Sequence, residues 1–148
     1  MGLFAGDNLT IKTDILEGSG TSAILKITFA GVHDHHWPHG EKINSFVKDE
    51  AINSNCAACL FDFLGYHYEY GNEIGGLIMV ACIDAESQAL RDFAIVSEGN
   101  TARILKSLFA DMNVSTVFSY DFFDNVDKGL AFLRGQLAGN EPSHPAET

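Results

Sequence analysis

The feature that most constrains the fold is a nearly continuous apolar stretch, CAACLFDFL, at residues 56–64. Asp62 is the one charged residue in it. A strand that is apolar at both odd and even positions is buried on both of its faces, which is typical of parallel sheets covered by helices on two sides. The stretch therefore predicts the central strand of an α/β protein.

The flanking segments alternate between strand and helix patterns. Residues 8–16 and 22–31 are β-rich and are separated by EGSGT, which predicts a hairpin. Helical spacing of apolar residues predicts helices over 42–54, from near Glu73, over 104–112 and from Asp124. Strands are predicted at 92–97 and 114–120.

The resulting order, β-β-α-β-α-β-α-β-α, predicts a mixed, mostly parallel sheet of about five strands. An N-terminal hairpin opens the sheet and helices flank it. We expect a single domain over residues 1–138 and a disordered tail over 139–148, where no apolar residue is larger than Ala.

Charge narrows the possible partners. The chain has 20 acidic and 9 basic residues, for a formal net charge of -11. Nucleic acids and anionic membranes would repel such a chain, so we expect neither as a partner and favour a protein with a basic face. The N-terminus lacks the basic start and long apolar centre of a secretory signal, which predicts a cytoplasmic protein.

The cysteines indicate packing rather than chemistry. Cys56 and Cys59 lie in the apolar stretch, where an offset of three places them on opposite faces of a strand. A redox pair needs a helix N-terminus, and a zinc site needs a second such pair. We therefore expect reduced core cysteines, together with Cys82 on an apolar helix.

Several local sequences resemble the STAS domain, the fold of bacterial anti-sigma-factor antagonists, over roughly residues 9–137. FAGVHD is similar to a family strand ending in Gly-x-x-Asp, matched by Gly31 and Asp34. ACLFDFLGYHYEYGNEIGGLIMV is similar to the family's central strand, ending in Asp62, with its Asp-Ser-Ser-Gly-Leu-Gly loop and following helix. The resemblance implies a bacterial, non-enzymatic signalling module that binds an anti-sigma factor or a regulatory kinase.

The chain departs from that family at the loop where antagonists are phosphorylated. Counting from Asp62, the family's Asp falls on Tyr70, its acceptor Ser on Gly71, the second Ser on Asn72 and its Gly on Glu73. A glycine has no hydroxyl to accept a phosphate. The sequence thus predicts an interaction module without the phosphoserine switch.

The residues around this loop are the candidate partner-binding site. If the segment is extended, alternate tyrosines share one face of the strand, and aromatic rings are enriched at interface hot spots. The alternative left open is structural: core-edge tyrosines followed by a helix N-terminus capped by Asn72. The candidate contacts are Tyr66, Tyr68, Tyr70, Gly71, Asn72, Glu73 and Gly75.

A second hypothesis is a metal- or small-ligand-binding protein that uses the His-rich loop at residues 33–39. Imidazole is a good ligand for divalent transition metals, although the spacing matches no standard zinc motif. The candidate ligands are His33, His35, His36 and His39. No nucleophile elbow, phosphate loop or dinucleotide fingerprint is found, so we expect no enzymatic activity. The apolar helix after Asn72 also makes a homodimer a hypothesis.

Overall fold

The computed structural model describes residues 2–6, 9–16, 23–33, 40–68, 91–112 and 119–139. These residues form a single sheet of six strands in the order β1-β2-β3-β4-β5-β6. The strands are β1 (Leu3–Gly6), β2 (Leu9–Leu16), β3 (Ile24–His33), β4 (Ala58–Tyr68), β5 (Asp92–Val96) and β6 (Ser119–Phe123).

The sheet is mixed. β1 pairs antiparallel with β2, and β2 pairs antiparallel with β3, in a register that runs from Leu9 opposite Gly31 to Leu16 opposite Ile24. From β3 onward each neighbouring pair is parallel. The carboxyl ends of β3, β4, β5 and β6 therefore meet at one edge of the sheet, where α/β folds commonly place their binding groups.

Three helices are described: α1 (Gly40–Ser54), α2 (Gly99–Met112) and α3 (Val126–Gly139). α1 and α2 pack on one side of the sheet, which we call the first face, and α3 packs on the other, the second face. α1 keeps the helical spacing that the sequence predicts, with Ile43, Val47 and Ala51 buried against the first face.

The two faces have different cores. The first face is rich in phenylalanine, with Phe29, Phe61, Phe63 and Phe93 each at most 1% exposed. The second face is smaller and aliphatic, and α3 places Leu133 against it. Gly129 of α3 allows the close approach: a Cβ built there would lie 3.0 Å from Leu60 Cδ1.

The predicted fold class is confirmed, with one additional strand. β1 lies at the sheet edge, and its sequence, LFAG, is too short to show an alternating pattern. β6 ends at Phe123, three residues beyond the predicted Tyr120. The helix predicted from Glu73 lies outside the described residues, and so do residues 140–148 of the tail predicted over 139–148. Gly139, the first residue of that predicted tail, is instead the last residue of α3. None of the described helices is long and apolar enough to cross a membrane.

Candidate functional site at the carboxyl edge of the sheet

The carboxyl edge is stepped, because β3 and β4 run on beyond β5. The last pair between β4 and β5 is Asp62 opposite Val96. Pairing between β3 and β4 continues to His33 opposite Tyr68. The predicted strand end at Asp62 is therefore wrong: β4 continues for six more residues. Residues 29–33 and 63–68 form an extension past the end of β5, and β2 flanks the β3 side of this extension as far as Gly31.

A β-bulge marks the start of this extension. Asp62 lies opposite Thr28, whereas Gly65 lies opposite Ala30, so β4 advances three residues while β3 advances two. The amide of Leu64 donates to Asp62 Oδ1 across 3.0 Å. Lys26 Nζ lies 3.8 Å from Asp62 Oδ2. The Asp62 carboxylate thus has a structural role, since it accepts a hydrogen bond from an amide within the bulge.

The bulge reverses which face each later residue occupies. Phe61 and Phe63 face the first side, and regular alternation would place Tyr66 on the second. The extra residue instead turns Tyr66 into the first-face core, where it is 3% exposed and its ring lies 5.4 Å from that of Phe63. A tyrosine this deeply buried has little ring surface to offer a partner, so for Tyr66 the core-edge alternative describes the structure.

The second side of the extension carries exposed residues in the part of the chain that the structure describes. Val32 is 39% exposed, and His67, which lies opposite it in the register, is also exposed. Ala30 and Gly65, two pairs earlier on the same side, are exposed as well. Val32 and His67 were not predicted as contact residues, because the sequence does not show the register of β3 against β4.

The other predicted contacts lie at or beyond the end of β4. Tyr68 forms the last pair of that strand, opposite His33. Tyr70, Gly71, Asn72, Glu73 and Gly75 lie outside the described residues, so their role in binding stays a prediction.

The beginning of α2 lies close to the same edge. The Thr101 hydroxyl is 3.5 Å from the carbonyl oxygen of Tyr66, which brings the first turn of α2 against the end of β4. Beside it, an open cleft of about 520 Å³ lies between the beginnings of α2 and α3. Ser97, Lys106 and Phe122 are among its lining residues. The sequence analysis missed this cleft, although Ser97–Thr101 (SEGNT) is the kind of strand-to-helix turn that could have indicated it.

The metal hypothesis is not tested by the described residues. His33 ends β3, and His35, His36 and His39 lie outside the described ranges. Within those ranges, no group of three or more His, Cys, Asp or Glu side chains is placed to hold a metal ion.

The two described cysteines are reduced and buried, as predicted. Their predicted placement on opposite faces of a strand is wrong: both belong to the first-face core, because Cys56 lies just before β4 rather than within it. Burial raises the pKa of the Cys56 thiol, and a hydrogen bond with Ser54 partly opposes that shift. A thiol in this environment is protonated at neutral pH and therefore a poor nucleophile. Cys82 lies outside the described residues.

Comparison with known proteins supports the fold. No protein-family model matches the chain, and no curated protein matches it. Among solved structures, the chain is similar to an uncharacterised protein of the DUF3478 family from Shewanella loihica, described as having a SpoIIAA-like fold. The TM-score is 0.56 with 13% sequence identity, over 88% of this chain and 98% of that one. Likeness at this identity shows the fold alone, and it is the anti-sigma-factor-antagonist-like fold that the sequence predicts.

Proposed function

We propose that this protein is a non-enzymatic regulatory module that binds another protein through the carboxyl edge of β3 and β4. The observation that carries the proposal is the extension of these strands past β5. It presents the exposed pair Val32 and His67 immediately before the chain segment that holds the predicted contacts Tyr70–Gly75.

The chemistry of the extension favours recognition over catalysis. An exposed β-branched side chain and an imidazole provide apolar area and a hydrogen-bonding group, which are contacts that a protein interface uses. With a formal net charge of -11, the chain attracts basic surfaces over long range. An anti-sigma factor or a regulatory kinase is the partner class that the STAS-like fold favours.

The proposed module works without phosphorylation at the usual loop position. Gly71 occupies the place of the acceptor serine and has no hydroxyl. Binding would then be set by the amount or state of the partner rather than by a phosphate on this loop.

The proposal can be tested with two matched charge substitutions. Val32 and Ile15 are β-branched strand residues that are 39% and 38% exposed. Ile15 pairs with Leu25 and therefore lies at the other end of the sheet from Val32. We expect Val32→Glu to abolish capture of the partner from a lysate of the source organism. Ile15→Glu, with the same added charge, should capture the same protein as the wild type does.

The predicted loop contacts provide a second arm of the test. Asn72→Lys and Gly75→Trp should each abolish capture of the partner while the far-ultraviolet circular dichroism spectrum stays unchanged. Equal capture by the wild type, Val32→Glu and both loop variants would remove this edge as the binding surface. The dissociation constant for the identified partner, measured by calorimetry, then replaces capture as the readout.

A further inference from the structure

The cleft between α2 and α3 has the volume of a small-molecule site. Its volume of about 520 Å³ lies within the range of about 300–1,000 Å³ that ligand pockets occupy. It lies at the carboxyl ends of the parallel strands β5 and β6, where the Ser97 amide donates to the carbonyl oxygen of Phe123 across 3.0 Å.

Ser97 is the first indication of a ligand. It lines the cleft and is only 3% exposed. Among the described residues, its Oγ has no hydrogen-bond partner. A bound group that forms a hydrogen bond with this hydroxyl would supply the partner that a buried polar group normally has.

The first turn of α2 supplies further donors. The first four amides of an α-helix have no acceptor within the helix, and they carry the positive end of its dipole. The first hydrogen bond of α2 runs from the Ala102 amide to the carbonyl of Glu98. Both residues line the cleft, so this end of the helix lies at the cleft. Gly99, with φ of 60°, has nothing within 4 Å of the position a Cβ would take, so a ligand can approach the backbone there.

The charged side chains of the cleft are mixed but not equally available. Lys128 forms an ion pair with Asp124 at 3.2 Å. Lys106 instead lies over the Phe122 ring, with its Nζ 5.8 Å from the ring centroid. Glu98 and Asp124 are the acidic lining residues, and Glu98, which is exposed, opposes an anion. The Ser97 hydroxyl, the first turn of α2 and Lys106 thus lie on the α2 side of the cleft, and the half-buried Phe122 and Phe123 line the β6 side.

We propose that this cleft binds a small organic phosphomonoester. The phosphate accepts hydrogen bonds from the first-turn amides of α2 and from the Ser97 hydroxyl, and Lys106 balances its charge. The organic part packs against Phe122, on the side of β6 that Lys106 covers. This site is separate from the partner-binding edge, and neither proposal depends on the other.

The probe is phenyl phosphate, titrated at constant ionic strength while the amide resonances of Gly99–Thr101 are followed by NMR. We expect saturable shifts at these amides and tighter binding than that of inorganic phosphate, because the ring buries apolar area. Ser97→Ala should weaken binding about tenfold or more, since a hydrogen bond to a charged group is worth about 1.5–3 kcal/mol. Its thermal stability should be equal or higher, because an unpartnered hydroxyl is removed.

Two lysine variants separate a local contact from net charge. Lys106→Gln should weaken binding several-fold, whereas Lys12→Gln, which makes the same charge change on β2, should bind as the wild type does. Glu98→Gln should bind more tightly. The proposal is overturned if the shifts do not saturate or if Ser97→Ala and Lys106→Gln bind as the wild type does. Phenyl phosphate binding no more tightly than inorganic phosphate also overturns it.

Discussion

The carboxylate of Asp62 accepts a hydrogen bond from the amide of Leu64, with Oδ1 and N 3.0 Å apart, at the point where β4 takes in one extra residue. This contact lies at the start of the extension of β3 and β4 that forms the candidate site. The Leu64 amide, which would otherwise have no partner in the strand ladder, donates to the Asp62 side chain two residues earlier. β4 then continues with its two faces exchanged.

Removal of this acceptor should destabilise the protein. We expect Asp62→Ala to lower the free energy of unfolding by about 1–3 kcal/mol, because a part-buried amide loses its partner. Asp62→Asn should cost less, since the amide oxygen still accepts from Leu64 while the ion pair with Lys26 is lost. Urea unfolding measures both, and Asp14→Ala, at a half-buried position of β2, is the control. An equal cost for Asp62→Ala and Asp14→Ala would show that the carboxylate does not hold the bulge.

Tyr66 and His67 should separate stability from binding. Tyr66→Ala removes a ring packed against Phe29 and Phe63 and should lower the free energy of unfolding by about 3–5 kcal/mol. His67→Ala, at an exposed position, should change it by less than about 0.5 kcal/mol and weaken partner capture. Thermal denaturation and capture are measured on the same samples. A stable Tyr66→Ala variant that fails to capture the partner would return Tyr66 to the binding surface.

Two glycines of α3 form a matched pair. At Gly129 an added Cβ would lie 3.0 Å from Leu60 Cδ1 and 3.1 Å from Val96 Cγ2, whereas at Gly135 nothing lies within 4 Å. Gly135→Ala should therefore stabilise the protein by up to about 1 kcal/mol through helix propensity. Gly129→Ala gains the same propensity but overpacks the second face, for a net loss of up to about 2 kcal/mol. The free energy of unfolding of each variant, measured with a chemical denaturant, shows whether it is stabilised or destabilised. Stabilisation by both variants would contradict the close packing of α3 on β4 and β5.

Asp92 should make stability depend on pH. Burial raises its pKa above the ordinary value of 3.8, and the hydrogen bond from Gln136 partly opposes that shift. The folded protein therefore holds this proton more tightly than the unfolded chain does. The resulting stabilisation is complete below pH 3.8 and is lost as the pH rises through the folded-state pKa.

At neutral pH, Asp92→Asn should be more stable than the wild type, because no charge is buried and the acceptor for Gln136 is kept. The difference in stability between Asp92→Asn and the wild type should shrink as the pH falls towards 4. Melting temperatures of both proteins, measured across this pH range, test this. A less stable Asp92→Asn at neutral pH would mean that the buried charge is compensated.

The sequence by itself determined the layers of the fold. The apolar stretch at 56–64, in which Asp62 is the one charged residue, placed the central strand, because burial on both faces selects apolar residues at odd and even positions alike. Spacing of Ile43, Val47 and Ala51 placed α1, since burial of one face of a helix repeats every three or four residues. These are local signals, and each is complete within about fifteen residues.

Only the tertiary structure decided which surfaces are available. Tyr66 is buried because β4 gains one residue against β3, and a single-residue shift exchanges the two faces of a strand with period two. The shift is a property of how β4 pairs with β3, and the sequence of neither strand shows it. The cleft likewise brings Ser97 and Lys106 together with Phe122 and Lys128, which meet because parallel strands end at one edge.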